Sequence, residues 1–478
     1  MTLLVRTLLV ALLFILSAAS LSAQVQTGAP PFGTFGGGPD SINLANLNVH
    51  LDVPVTHRAG RGTDFSYDLG YDSSVWFPVN SSGSLVWMPV GNWGWTSITQ
   101  VVGGYVLYTT TQSTKDSGLC QIITFTNFKF YDVFGTAHPF PGSTLNETWT
   151  GADGQNTNCF NQVLTNVTAT DGSGLQMTSN GFFSTVYFPN GISEKPPFGT
   201  PNGSTTVTDR NGNQITVTSN NGTYTFTDTL GQTALTVTGT APSPVTFSYT
   251  APSGGTASYT VKYSSYNVQT KFGCSTVTDY GTNGTTTANL VSEIDLPDSS
   301  KYTFQYESTP GVTGFVTGRL ASVTLPTGGT ISYTYTGGSS GHITCTDGSA
   351  SGFQRHTPDT GTSAFWNYMR TPETGAASLT TVTDPTPQAN QTLFQFQGIY
   401  QTQRDIYAGA APAISAFPIP ESTLQTSNLL QEIQTCYNTN TANCTSTAVA
   451  TPISQRNVTT LLFGASSWAN AKTSQTIL

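Results

Sequence analysis

The residues able to do chemistry are few and scattered. The histidines are His50, His57, His138, His342 and His356. His342, Cys345 and His356 lie close enough in sequence to suggest a zinc site or a Cys–His pair. Their spacing fits no common zinc pattern, however, and a structural zinc takes four ligands. The plainer reading is a disulfide cysteine flanked by loop histidines. No G-x-S-x-G elbow, H-E-x-x-H pair or phosphate-binding glycine loop occurs, and Gly36-Gly37-Gly38 is not followed by a helical pattern. Glycoside hydrolysis needs two carboxylates across a cleft. Asp64, Asp68 and Asp72 alternate along one strand-like run. Glu293, Asp295 and Asp298 form a second acidic group, which could also ligate calcium through oxygen. Both groups read equally as a solvated strand face or turn. Trp87, Trp93 and Trp95, in SLVWMPVGNWGWTS, would stack on sugars if their rings lay on an exposed β surface; in a core they would supply packing area instead. No cofactor or metal is called for.

Such residues need a scaffold, and the composition points to strands. Only 9% of residues are charged, against about 25% in an average soluble protein. Thr, Val, Tyr and Phe are punctuated by 48 Gly and 26 Pro, the makings of short strands and tight turns. The net charge of −9 comes without a concentrated Lys/Arg patch, so nucleic acid and anionic membrane surfaces are poor partners. Residues 1–23, MTLLVRTLLVALLFILSAASLSA, place one Arg before an apolar run and then small residues. This is the pattern of a secretory signal peptide cut after Ala23 or Ala19. No later segment is apolar for long enough to span a bilayer as a helix. Export puts Cys120, Cys159, Cys274, Cys345, Cys436 and Cys444 in an oxidising compartment. Only Cys436–Cys444 is arguable locally, because CYNTNTANC brackets a short Asn/Thr turn; free or differently paired thiols are the alternative.

Residues 24–42 form a flexible Gly/Pro leader. Leu47, Val49, Leu51 and Val53 alternate with polar residues, as do Phe65, Tyr67, Leu69 and Tyr71, which predicts a hairpin turning at 59–62. Val101 to Val106 carries a two-glycine hairpin signal. The one helix candidate is Ser422 to Cys436, equally readable as two short strands. Internal similarity is stronger. Asp-x-x-Gly recurs at Asp132–Gly135, Asp171–Gly174, Asp209–Gly212 and Asp228–Gly231, at spacings near multiples of about 19 residues. In each, the Asp side chain can cap the turn and Gly supplies a positive φ. LPDSSKYTFQY (296–306) aligns without a gap on LPTGGTISYTY (325–335), matching Phe304 with Tyr333 and Tyr306 with Tyr335. An aromatic pair at i and i+2 shares one strand face, which stacked neighbouring hairpins are expected to bury.

The stretch GRLASVTLPTGGTISYTYTG, with Gly318, Arg319, Leu320, Gly328, Tyr333 and Tyr335 at its defining positions, resembles the YD repeat of Rhs proteins. The Tyr-Asp half of that unit is missing before Gly318; Tyr131-Asp132-x-x-Gly135 supplies it elsewhere. The segment NLNVHLDVPVTHRAGRGTDFSYDLGYDSS is similar to the start of many Rhs ectodomains. The resemblance runs from about Asn43 to Tyr437. It implies hairpins wound into a spiralling sheet that can close as a hollow shell, in some branches around a C-terminal toxin. This chain shows neither the family's core region nor a toxin domain. Its tail, ASSWANAKTSQTIL, has no evident cap, which fits the N-terminal part of a longer or broken reading frame.

The expectation is therefore an all-β protein: an N-terminal β-sandwich-like region (43–200), a curved or spiralling sheet of YD-type β-hairpins (201–340) and a further β-rich, repeat-like region (341–478). Its expected role is an exported, non-enzymatic scaffold, acting as a structural shell or in cell-surface interaction with a glycan or protein. A carbohydrate-binding adhesin and a polysaccharide-acting enzyme are the alternatives.

Overall fold

The computed structural model describes residues 32–81, 83–99, 104–115, 120–132, 137–150, 156–198, 206–284, 286–338, 341–360, 363–372, 375–415, 417–440, 443–450, 453–462 and 472–477. The signal-peptide segment, the first part of the leader, 101–103 of the two-glycine hairpin and Gly135 lie outside the described residues. Nearly everything described is β. Gly91–Gly94 is a tight turn with Asn92 and Trp93 at positive φ, and the one helical piece among the described residues is the single turn Glu421–Leu424. The helix candidate therefore resolves into that last turn followed by the strand Leu429–Tyr437.

The alternating N-terminal residues make a five-stranded sheet from Phe32–Gly33, Asp40–Asn43, Asn48–Arg58, Phe65–Asp72 and Trp95–Thr99. Leu47, Val49, Leu51, Val53, Phe65, Tyr67, Leu69 and Tyr71 are all buried, and Asn48–Arg58 pairs antiparallel with Phe65–Asp72. Trp76–Ser81 and Ser84–Pro89 form a hairpin extended in parallel by Val277–Thr278. A four-stranded meander spans Tyr105–Lys115 to Asn156–Gln162. From Leu164–Thr168 to Lys472–Ile477 the chain then lays down a 22-stranded antiparallel sheet. Each strand pairs with the one before it in sequence, apart from Val277–Thr278, which leaves for the hairpin.

The repeated turns share one construction. In the loops at 188–192, 209–213, 228–232, 251–255, 296–300 and 325–329, the first residue's N–H donates to the fifth carbonyl and the fourth N–H donates back to the first carbonyl. The fourth residue is left-handed in every case: Gly191, Gly212, Gly231, Gly254, Ser299 and Gly328. This is the three-residue hairpin loop in which a type I turn is closed by a residue at positive φ. Asp171–Gly174 lies in a wider turn, closed from Ala169 to Leu175, with Gly172 also at positive φ. The Asp-x-x-Gly turns at Asp209 and Asp228 and the Leu-Pro-x-x turns are two spellings of the same three-residue loop. Asp can cap it: Asp209 Oδ1 accepts from the N–H groups of Asn211 and Asn213 at 2.8 and 2.9 Å, and Asp228 Oδ1 accepts from Leu230 and Gln232 at 3.0 Å. Where Pro follows the first residue, as at Pro189, Pro252, Pro297 and Pro326, its fixed φ suits the turn without that cap.

The aligned aromatics Phe304, Tyr306, Tyr333 and Tyr335 are buried on one face, as expected, but their cover is more than neighbouring hairpins. The N-terminal sheet lies across that face. Phe65 and Tyr67 meet Phe226, and Tyr67 also meets Phe247. Trp95 packs edge-on against Phe304 at 4.8 Å, and Thr380 Oγ1 donates to the Leu44 carbonyl at 2.7 Å. N-terminal strands therefore cross the long sheet from Thr223–Thr227 to Ala377–Thr383, and one continuous core joins the two.

Candidate functional site

Gly318, Arg319 and Leu320 do not form a hairpin turn. They lie within the strand Val316–Thr324, where the register against Lys301–Ser308 slips between Tyr306 and Ser308. Such a bulge re-aims side chains. Gly318 has φ of 81°, and a Cβ there would meet the Trp93 ring at 2.9 Å. Buried Arg319 then forks onto Glu307, with Nε to Oε2 at 2.8 Å and Nη2 to Oε1 at 2.9 Å. Nη2 also donates to the Gly341 carbonyl at 3.1 Å, and the guanidinium lies 4.0 Å from the Tyr335 ring centroid. The opened backbone binds the N-terminal region. Trp76 Nε1 donates to the Thr317 carbonyl at 2.7 Å, and the Leu320 N–H donates to the Tyr71 hydroxyl at 2.9 Å. Burial raises the pKa of the Tyr71 and Tyr335 hydroxyls, so both stay neutral donors.

A second latch was not singled out in the sequence. Arg355 is held by Asp40, with Nε to Oδ2 at 2.6 Å, and donates through Nη2 to the Gly37 carbonyl at 2.6 Å. Tyr333 completes it by donating to Asp40 Oδ2 at 2.8 Å. Both charged side chains are fully buried. A repeat-defining tyrosine and an arginine of the next strand thus hold the end of the Gly/Pro leader.

The three-tryptophan sugar platform is not formed. Trp87 is fully buried and edge-on to Phe272. Trp95 is buried, with Nε1 donating to the Tyr306 hydroxyl at 3.3 Å. Trp93 is half-buried against Trp76 and Gly318. Large aromatics at a junction between two sheets are worth more as buried area than as exposed rings. The acidic groups are likewise engaged. Lys262 bridges Glu293 and Asp295 at 2.7 and 2.6 Å, and Lys301 reaches Glu293 at 2.6 Å, a partly exposed ion-pair network. Asp72 accepts from Asn48 at 2.6 Å and meets His50 at 3.0 Å. Asp132 and Asp171 flank His138; burial would lower its pKa, but the two carboxylates outweigh that and raise it to about 9.

Cys345 pairs with Cys274 and Cys436 with Cys444. The local disulfide expectation is met, and the plainer reading of Cys345 holds. His342 contributes a carbonyl to Arg319 and donates through Nδ1 to the Gly337 carbonyl at 2.9 Å. Among the described residues, no three His, Cys, Asp or Glu side chains are placed to hold a metal ion.

The most unusual chemistry lies on the opposite face of the long sheet, near its end. Asp405, in Tyr400–Tyr407, is directly opposite Glu432, in Leu429–Tyr437. Both are fully buried. Gln403 Nε2 bridges them, 3.1 Å from Asp405 Oδ1 and 3.0 Å from Glu432 Oε1, and Gln425 Nε2 donates to Glu432 Oε2 at 2.6 Å. Burial first, with the neighbouring carboxylates adding to it, pushes Glu432 up to about 9; burial also carries Asp405 up to about 7. Segment 408–428 crosses over the pair. Ile419 and Leu424 pack with Leu379, Leu393, Tyr407 and Leu429 in a small separate core. Sequence reading missed this site because the two acids meet only through strand register.

No family model matches the chain, and no curated protein matches it. Among solved structures it is similar to a porin-like protein from Bacteroides uniformis, over 53% of this chain and 94% of that one, at 11% identity and a TM-score of 0.22. That likeness is too distant to bear on fold or function. No helix among the described residues is long and apolar enough to cross a membrane, and the two disulfides are consistent with an extracellular protein.

Proposed function

We propose that this protein is an exported, non-enzymatic scaffold of the Rhs/YD type, a structural shell that presents its hairpin tips to a cell-surface glycan or protein. The observation that carries the reading is the use of the motif residues. Leu320 and Tyr333 hold the N-terminal strands against the long sheet, Arg319 and Tyr335 brace each other within it, and none of the four is left facing solvent. A catalytic motif would leave reactive groups accessible; this one closes a wall.

Winding of the sheet is supported by the nearness of its two halves. Beyond the effect of burial, the Asp171 carboxylate is near enough to Tyr400 to raise its pKa. Laid flat, the strands between them would cover about 80 Å at the usual strand spacing, so the sheet has to curl to bring them together. The N-terminal sheet fills the aromatic side of that curl.

Localisation in the native host tests the proposal. A tagged full-length protein should be labelled on intact cells or recovered from the medium, with Cys274–Cys345 and Cys436–Cys444 oxidised. Deleting the gene should lower attachment to the surface or partner cell. Retention in the cytoplasm with free thiols, or unchanged attachment together with measurable polysaccharide cleavage, would overturn it.

A further inference from the structure

Most buried charges among the described residues face an opposite charge. The Asp405–Glu432 pair does not. On its own strands it sees Gln403 and Tyr407, and Leu393 stands opposite Asp405 in the preceding strand. Leu461 stands opposite Glu432 in the following strand, Gln455–Leu462. From the covering segment it sees Glu421 and Gln425. The described parts of 408–428 and 438–450 contain no Lys, Arg or His. The cations on the pair's own and the following strands alternate onto the other face: Arg404 lies against the Phe394 ring at 5.5 Å, and Arg456 and Lys472 are in register with Tyr437 and Thr460. Gln395, one strand over on the same face, is fully buried with neither amide atom in a well-formed hydrogen bond.

Two ionised carboxylates facing each other without water or a cation would be untenable. The covering segment is fastened at its start by Gly409, whose N–H donates to Asn390 Oδ1 at 2.7 Å and whose carbonyl accepts from the Gln391 N–H at 3.0 Å. Beyond that it is held by the small apolar core, the Tyr407 hydroxyl donating to the Leu424 carbonyl at 3.0 Å, the Gln425 bond to Glu432, and the Ala411 N–H donating to Gln391 Oε1 at 2.9 Å. We propose that segment 408–428 is a proton-controlled strap, closed over the outer face while the Asp405–Glu432 pair is neutralised and released when both acids ionise. Released, it would bare a row of Gln395, Gln403, Asp405 and Glu432, a polar surface suited to hydrogen-bonding a partner.

The direction follows from linkage. In an opened strap the two acids return to ordinary carboxylate values, well below those they have when covered. Closure is therefore fully stabilised in acid. It weakens as pH rises above those ordinary values and is weakest above about 9, where Glu432 ionises even when covered.

Hydrogen exchange on the full chain tests this, read as protection factors so that the intrinsic pH dependence is removed. Amides of 408–428 should lose protection by about tenfold per pH unit over part of the range between pH 6 and 9, while those of 318–335 stay constant. Glu432→Gln, isosteric and neutral, should keep the strap protected at pH 9. Asp405→Asn provides the same readout through the other acid and should shift the loss to higher pH. A flat wild-type profile, or equal losses in wild type and both variants, would overturn the proposal. So would recovery of protection at pH 9 on adding millimolar calcium, since the pair would then belong to a cation and not to protons.

Discussion

At Arg355 a guanidinium, a carboxylate and a tyrosine hydroxyl close on one another in a buried junction. At Glu432, on the other face of the same sheet, two carboxylates close on each other with only amides between them. Both sites are fully buried, and both tie a distant segment to the sheet: the leader in the first case, the 408–428 strap in the second. They differ in where the compensating positive charge comes from. Arg355 brings its own, and a guanidinium keeps it at any pH the protein will meet. The Asp405–Glu432 pair has to take protons from the solvent. One tie is permanent and the other depends on the surroundings, although each is made of ordinary strand residues in ordinary register.

The comparison can be broken most directly at Arg355. Arg355→Ala leaves the Asp40 carboxylate buried without its partner, and a loss of about 3–5 kcal/mol is expected in urea unfolding, nearly the same at pH 6 and pH 8. A loss below about 1 kcal/mol, or one that varies steeply with pH, would erase the distinction between the two faces. Next in size is the staple of the outer face. Replacing both Cys436 and Cys444 with Ser should cost about 2–3 kcal/mol by the loop-entropy estimate. The loss should appear in exchange from 429–462 and leave amides around Leu320 unchanged; a global loss would mean that the two faces unfold as one unit. The smallest effect sharpens the role of shape as against charge. Arg319→Lys keeps the positive charge but loses the fork onto Glu307 and the flat contact with Tyr335, and a loss of about 2 kcal/mol is expected. If Lys serves as well as Arg, the latch works by charge alone.

What could be read in the sequence follows the range over which each feature is determined. The hairpin loops are local: Asp209 caps its own turn, Gly212 supplies its positive φ, and the alignment of Leu296–Tyr306 on Leu325–Tyr335 put four aromatics on one face. The Cys436–Cys444 bond was legible because the turn between them is short. Cys274–Cys345 was not, because its ends sit on loops brought together by several intervening strands. Trp87, Trp93 and Trp95 could be read as exposed or buried until the second sheet was known to lie over them. The Gly318-Arg319-Leu320 stretch carries turn residues, yet sits in a bulge, since strand pairing on both sides overrides the local preference. Asp405 and Glu432 gave no signal at all. Each occupies an unremarked strand position, and their meeting depends on the register across the 408–428 connection. The Asp40–Arg355 latch was hidden for the same reason, being separated by 315 residues of chain.

That separation sets an order of events during synthesis. The long sheet can grow strand by strand as the chain emerges, because nearly every new strand finds its partner in the one just made. The N-terminal sheet cannot wait in that comfort. Its aromatic residues appear first, and the partners of Trp95, Trp76 and Tyr71 follow 211–249 residues later, about 10–50 s at ordinary rates of chain elongation. For that interval Tyr71, Trp76 and Trp95 face solvent or a chaperone, and the newborn protein is most at risk of aggregation at its front end.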